Sequence, residues 1–97
     1  MATYVSLYKY TAQGVQNIKD APKRVEAAIK AAEAAGMKVR ETLWLQGEYD
    51  FMAISEGPDE IAAMAFAIQT AKLGNVTSQT LRAFTVEEIK KVLEKVS

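Results

Sequence analysis

The run Gly47-Glu48-Tyr49-Asp50 separates two segments, residues 37–46 and 51–56, that each alternate apolar and polar side chains. Alternation is the period of a β-strand, and a glycine at the reversal supplies the positive φ that a tight turn needs. The run therefore predicts a β-hairpin. With Gly47 and Glu48 as the central residues of a type II′ turn, Gln46 faces Tyr49 and Trp44 faces Phe51. One such pairing sorts every side chain of both strands onto one sheet face or the other, because successive residues point to opposite sides.

The rest of the chain falls into place around the hairpin. Residues 4–11 alternate, with Val5 and Leu7 on one side and Tyr4, Ser6, Tyr8 and Tyr10 on the other, and read as a strand. Residues 12–20 read as a polar loop pivoting on Gly14. A helix follows, with Pro22 in its first turn, Val25, Ala28, Ile29 and Ala32 at helical spacing, and Gly36 as a left-handed cap. Asp59 and Glu60 open a second helix at the end where the dipole favours acids, and Ile61, Met64, Ala65, Ile68 and Ala71 are its expected buried stripe. Residues 75–84 read as a fourth strand. A last helix starts at Thr85 with Glu88 three residues on, a capping-box spacing. The order is βαββαβ plus a C-terminal helix in one domain, 1–97. This is the ferredoxin-like plan, an α+β fold with a four-stranded antiparallel sheet and its helices on one face.

Strand parity gives an expectation about assembly. If the helices cover Val5, Leu7, Leu43, Leu45, Met52, Ile54, Leu81 and Ala83, then the open sheet face collects Tyr4, Tyr8, Tyr10, Trp44, Tyr49 and Phe51, interleaved with Arg40, Thr42, Thr80 and Arg82. An aromatic surface of that extent calls for a cover. A second copy of the same sheet is the simplest one, since closed homo-oligomers dominate soluble assemblies. Two sheets face to face make a dimeric α/β barrel.

Composition removes several function classes. The chain of 97 residues contains no cysteine and no histidine, so thiolate chemistry, Ser-His-Asp triads and His- or Cys-ligated metals are excluded. Twelve basic and 12 acidic residues cancel to a net charge of 0, which withholds the bulk attraction on which nucleic-acid and anionic-membrane binding rely. The RNA-recognition fold shares the βαββαβ order, but Glu48 and Asp50 stand in the third-strand region where that fold places basic residues and glycine. Neither nucleic acid nor membrane is an expected partner. No apolar run approaches the ~20 residues of a membrane span, and the segment Met1-Ala2-Thr3-Tyr4-Val5 lacks the pattern of a signal peptide. The expected location is the cytoplasm.

Leu45-Gln46-Gly47-Glu48-Tyr49-Asp50 resembles the motif that gives the GYD family its name. The likeness continues through Tyr4-Val5-Ser6-Leu7, Tyr10-Thr11 and Gly14, then Ile18-Lys19-Asp20 with Pro22 and Arg24. In the second half it runs through Glu56, Pro58-Asp59, Gly74-Asn75-Val76 and Thr80-Leu81-Arg82-Ala83-Phe84-Thr85. Ala21 departs from the pattern, where a serine is common before the proline. The family is of uncharacterised function and similar in architecture to dimeric α/β-barrel proteins, which include small monooxygenases, isomerases and ligand-binding modules. Gly47-Glu48-Tyr49-Asp50 with Gly74-Asn75-Val76 and Thr80 also resembles the effector-binding domain of leucine-responsive-type regulators, where the hairpin and fourth strand lie at a subunit junction. The resemblance together with the aromatic open face points to a homo-oligomeric small-molecule-binding or regulatory module without a cofactor. The ligand-binding candidates are Tyr8, Tyr10, Arg40, Trp44, Gly47, Tyr49, Asp50, Thr80 and Arg82, with Arg40 or Arg82 holding an anion. Two other readings stand beside it: a cofactor-free barrel enzyme of isomerase or monooxygenase type using Tyr49, Asp50, Trp44 and Arg40 or Arg82, and a purely structural assembly protein.

Overall fold

The computed structural model describes residues 1–97. Strand β1 (Ala2–Tyr10) leads through a short helix α1 (Ala12–Gln16) and a 3₁₀ turn (Ile18–Asp20) into α2 (Ala21–Ala34). Then come β2 (Lys38–Trp44), β3 (Phe51–Gly57), α3 (Glu60–Lys72), β4 (Val76–Ala83) and α4 (Val86–Leu93). The four strands form an antiparallel sheet in the order β2-β3-β1-β4. This is the α+β, ferredoxin-like arrangement expected from the sequence, with one addition. Residues 12–16 are helical because the Thr11 side chain accepts from the Gly14 N–H and caps the turn. Gly14 is buried there, and a Cβ on it would lie 2.1 Å from the Asn75 carbonyl oxygen, so only glycine lets the two backbones approach.

Element ends follow local chemistry. Pro22 sits in the first turn of α2 and Gly36 follows its end at φ +89°. Asp59 caps α3 by accepting from the Ala62 N–H at 2.9 Å. Thr85 and Glu88 form a complete capping box on α4.

The faces of the sheet are the reverse of the expected ones. Tyr4 is 3% exposed and clusters with Ala32, Met37 and Ala63 in the core between the sheet and helices α2 and α3. Ser6 and Phe51 are buried on the same side. By alternation, Val5, Leu7, Leu43, Met52, Ile54 and Leu81 lie on the open face, where Leu43 is 47% exposed and Leu81 40%. The hairpin register is as read, Trp44 opposite Phe51; the helices simply cover the other parity. Volume explains the choice. The inner faces of both helices are largely alanine, with Ala32 and Ala63 in the core and Ala62 packed against it, so the sheet must supply the bulk, and aromatic rings do so.

Two further differences follow. β2 carries a bulge between Val39 and Glu41, opposite Ser55 and Ile54 respectively. The extra residue, Arg40, switches parity: Val39 points to the helices, while Glu41 and Leu43 point to the open face. In α3 the inward stripe is Ala62, Ala63 and Phe66, while Ile61 and Met64 are 80% and 62% exposed. That helix is apolar on all sides, so its period cannot select a buried face. No helix is long and apolar enough to cross a membrane.

Candidate functional site

At the end of the sheet where β1 finishes and β4 begins, the two layers part. A cavity of about 340 Å³ lies there between the sheet and helices α2 and α3. Its floor is aromatic. Tyr8 and Phe51 stand on adjacent strands with ring centroids 5.7 Å apart. Trp44 meets Phe51 edge-on at 4.8 Å and donates its Nε1–H to the Tyr10 hydroxyl at 2.8 Å. The roof comes from Val25, Ala28 and Ile29 of α2 and from Phe66, Gln69 and Thr70 of α3. Burial pushes the Tyr8 phenol above its ordinary range, with a hydrogen bond to Ser6 opposing the shift, so Tyr8 serves as a neutral group.

Arg24 is the only charged residue in the wall. It projects from the first turn of α2, and its Nη1 donates to the Asn17 carbonyl at 2.7 Å, which fixes the guanidinium. Its Nη2 is sealed from solvent without a hydrogen-bond partner. No carboxylate pairs with Arg24. A buried donor left unpaired costs about 1–3 kcal/mol, and more when it is charged. The Tyr4 hydroxyl is also sealed and unpaired, but it faces a space of about 10 Å³, room for a single water at most. Arg24 is nonetheless the one charged side chain at the wall of the larger cavity.

The residues singled out from the sequence divide into separate groups. Tyr8 and Tyr10 line the cavity, and Trp44 backs them. Arg40, on the bulge, is paired with Glu56. Arg82 lies at the opposite end of the sheet, beside Tyr4 in register. Its Nη2 contacts Glu88 at 3.0 Å, its Nη1 donates to the Ala83 carbonyl, and its guanidinium stacks 4.5 Å from the Phe84 ring centroid. Both arginines are committed to protein partners, so the anion-holding part expected of them finds no support in their surroundings. Thr80 faces Ser6 at 3.4 Å, away from the main cavity. Arg24 escaped notice as a site residue. An arginine in the first turn of a helix ordinarily projects into solvent, and nothing in the linear pattern signals that this one turns inward.

The Gly47-Glu48-Tyr49-Asp50 run sits at the rim and ties the sheet end together. The hairpin closes through the Leu45 N–H on the Asp50 carbonyl at 2.9 Å, leaving a four-residue loop instead of the expected two-residue turn. Gly47 takes φ +112° within it. The Asp50 N–H donates to the Tyr8 carbonyl, and its Oδ2 accepts from the Tyr10 N–H, both at 2.8 Å. The carboxylate thereby extends the β1–β3 ladder past its last residue pair. Tyr49 reaches across to β4, its hydroxyl donating to Gln79 Oε1 at 3.0 Å, with the Lys9 ammonium 5.2 Å from its ring centroid. Lys9 in turn pairs with Glu48 at 3.6 Å. The GYD domain family model matches residues 4–93.

The chain belongs to the GYD family. No curated protein and no solved structure matches it. In this GYD chain the signature run is thus a clasp: Asp50 fastens the hairpin to β1, and Tyr49 fastens it to β4. The clasp borders the cavity without lining it. No cluster of acidic side chains assembles into a set of metal ligands.

Proposed function

We propose that this GYD chain is a small-molecule-binding module that works as a homo-oligomer, with its ligand held in the interior cavity between the sheet and helices α2 and α3. The observation that carries the reading is the cavity itself. At about 340 Å³ it falls within the ~300–1,000 Å³ of small-molecule sites, and it combines an apolar lining with few polar groups. The wall contains no aspartate, glutamate or lysine to shuttle a proton, and Asp50 is occupied by the Tyr10 N–H. That composition favours binding over an acid–base reaction.

Self-association is supported by the open sheet face. Val5, Leu7, Leu43, Met52, Ile54 and Leu81 make an aliphatic surface on the side away from α2 and α3, half-buried except at the exposed Leu43 and Leu81. Beside it Lys9 pairs with Glu48 and Arg40 with Glu56, and Glu41, on the same face, has no charged partner in the protomer. The occupant is a second copy of the sheet, packed at the ~10 Å spacing of stacked sheets. The expected aromatic interface becomes an aliphatic one, and the aromatic residues serve the cavity.

Filling the void tests the binding reading. Ala28 faces the cavity from α2. Ala28→Phe is expected to leave the folded state at least as stable and to abolish the thermal shift that indole, a neutral aromatic probe, gives with the natural chain. An undiminished shift in Ala28→Phe would place any bound probe elsewhere and end this reading.

A further inference from the structure

We infer that the cavity selects monoanions, and that its natural ligand is a small apolar monocarboxylate whose carboxylate is held by the Arg24 guanidinium. The inference rests on the interior-cavity reading and names the class of its ligand. It stands on the charge inventory of the wall, where Arg24 alone carries charge and no carboxylate pairs with it. A guanidinium stays protonated at any working pH, so this positive charge cannot be relieved by losing a proton. An anionic ligand supplies the counter-charge that the fold omits, through a charge-assisted interaction with the guanidinium.

The geometry narrows the class. Nη1 is engaged by the Asn17 carbonyl, which holds the guanidinium in place at the wall. A single cation matches one carboxylate; a phosphate dianion would bring a second charge with nothing to balance it. Neutral donors lie in the same wall. The Asn75 side chain is oriented by Gln13, whose amide donates to Asn75 Oδ1 at 3.0 Å, and this leaves Asn75 Nδ2 without a protein acceptor. The rest of the ligand must be apolar, because Phe51, Phe66, Val25 and Ile29 offer it no hydrogen bonds. A phenyl ring or a short alkyl chain suits the space, with its acid at the Arg24 end.

Paired probes of equal shape make the test on the natural chain in its solution assembly. Titration calorimetry with phenylacetate against phenylacetamide, and hexanoate against hexanamide, compares the acid with its neutral isostere. Each acid is expected to bind at least about tenfold more tightly than its amide, the scale of one charge-assisted hydrogen bond. Arg24→Gln should erase that gap by weakening the acids alone, and Arg24→Lys should retain part of it. Equal binding of acid and amide overturns the inference, as does a gap that survives in Arg24→Gln. If neither acid binds while indole still shifts the natural chain and not Ala28→Phe, the monocarboxylate assignment fails and the cavity reading stands. If no probe of any kind shifts the natural chain, both fall together.

Discussion

Asp50 shows how one side chain can do the work of a missing strand residue. Its backbone N–H and its carboxylate each bond the β1 backbone, at Tyr8 and Tyr10, so the ladder continues beyond the last paired residues without a further pair. Removing the carboxylate leaves the Tyr10 N–H without its acceptor beside the cavity. Asp50→Ala is therefore expected to lower stability by about 1–3 kcal/mol in urea unfolding, the cost of an unmet hydrogen bond in a partly buried place. Asp50→Asn keeps an acceptor oxygen and should lose less than half as much. Equal losses in the two variants would mean that the charge of Asp50, and not its bond to Tyr10, is what matters. The acid beside the turn is conspicuous in the sequence, and its bonding to backbone N–H is the ordinary behaviour of such a residue. What the sequence conceals is the recipient: Tyr10 is 40 positions away, and only the folded sheet brings the two together. Arg24 is hidden for the same reason, since its inward turn depends on the carbonyl of Asn17 and on a void bounded by three elements.

At the level of elements, starts and stops were legible and faces were not. Thr85 with Glu88, Gly36 after α2 and Asp59 before α3 are local signals, and each does in the structure what its chemistry suggests. Facing depends on which parity the helices select, and both parities of β1 and β3 are apolar, aromatic on one side and aliphatic on the other. The alanines of α2 and α3 decided in favour of the aromatics, and the bulge at Arg40 altered the count within β2. The capping box of α4 yields a prediction that belongs to this scale. The Thr85 backbone N–H, and after it the Arg82 guanidinium, hold the Glu88 carboxyl below its ordinary value of 4.5. A carboxyl depressed in the folded state stabilises that state above its ordinary pKa and ceases to do so as pH falls through the lowered one. The attachment of α4 to β4 should accordingly weaken on acidification from just above pH 4.5 downward. Far-UV circular dichroism should record this as an early loss of helix in the natural chain. Glu88→Gln should start with that loss at neutral pH and show little further change across the same interval. A parallel acid profile in the two proteins would remove Glu88 as the cause.

For the whole molecule the question is what completes a core this thin. Nine of 97 residues are buried, and no large side chain is fully so. A chain of this size has little surface to hide within itself, and here it leaves an aliphatic sheet face, the outer side of α3 and the apolar face of α4 uncovered. Among these surfaces only the sheet face is cross-linked by the hydrogen bonds of four strands. It should therefore carry the self-association. Leu81 stands on that face opposite Val5, 40% exposed, and makes no contribution to the helix-side core. Leu81→Glu would bury a carboxylate against its own copy across a two-fold interface, a like-charge pair without compensation. Size exclusion with light scattering should find the natural chain at twice the protomer mass or more and Leu81→Glu at the protomer mass. Met64→Glu, the same change on the outer side of α3, should leave the mass of the natural assembly intact. The thermal midpoint of the natural chain should also rise with concentration, as association with the folded form requires, and that dependence should vanish in Leu81→Glu. A natural chain that runs as a monomer, or a Leu81→Glu variant that keeps the full assembly mass, would transfer the burden of assembly away from the sheet. If instead Met64→Glu alone dissociates the protein, the helical layer is the interface, and the aliphatic sheet face is a surface that the protomer leaves open to water.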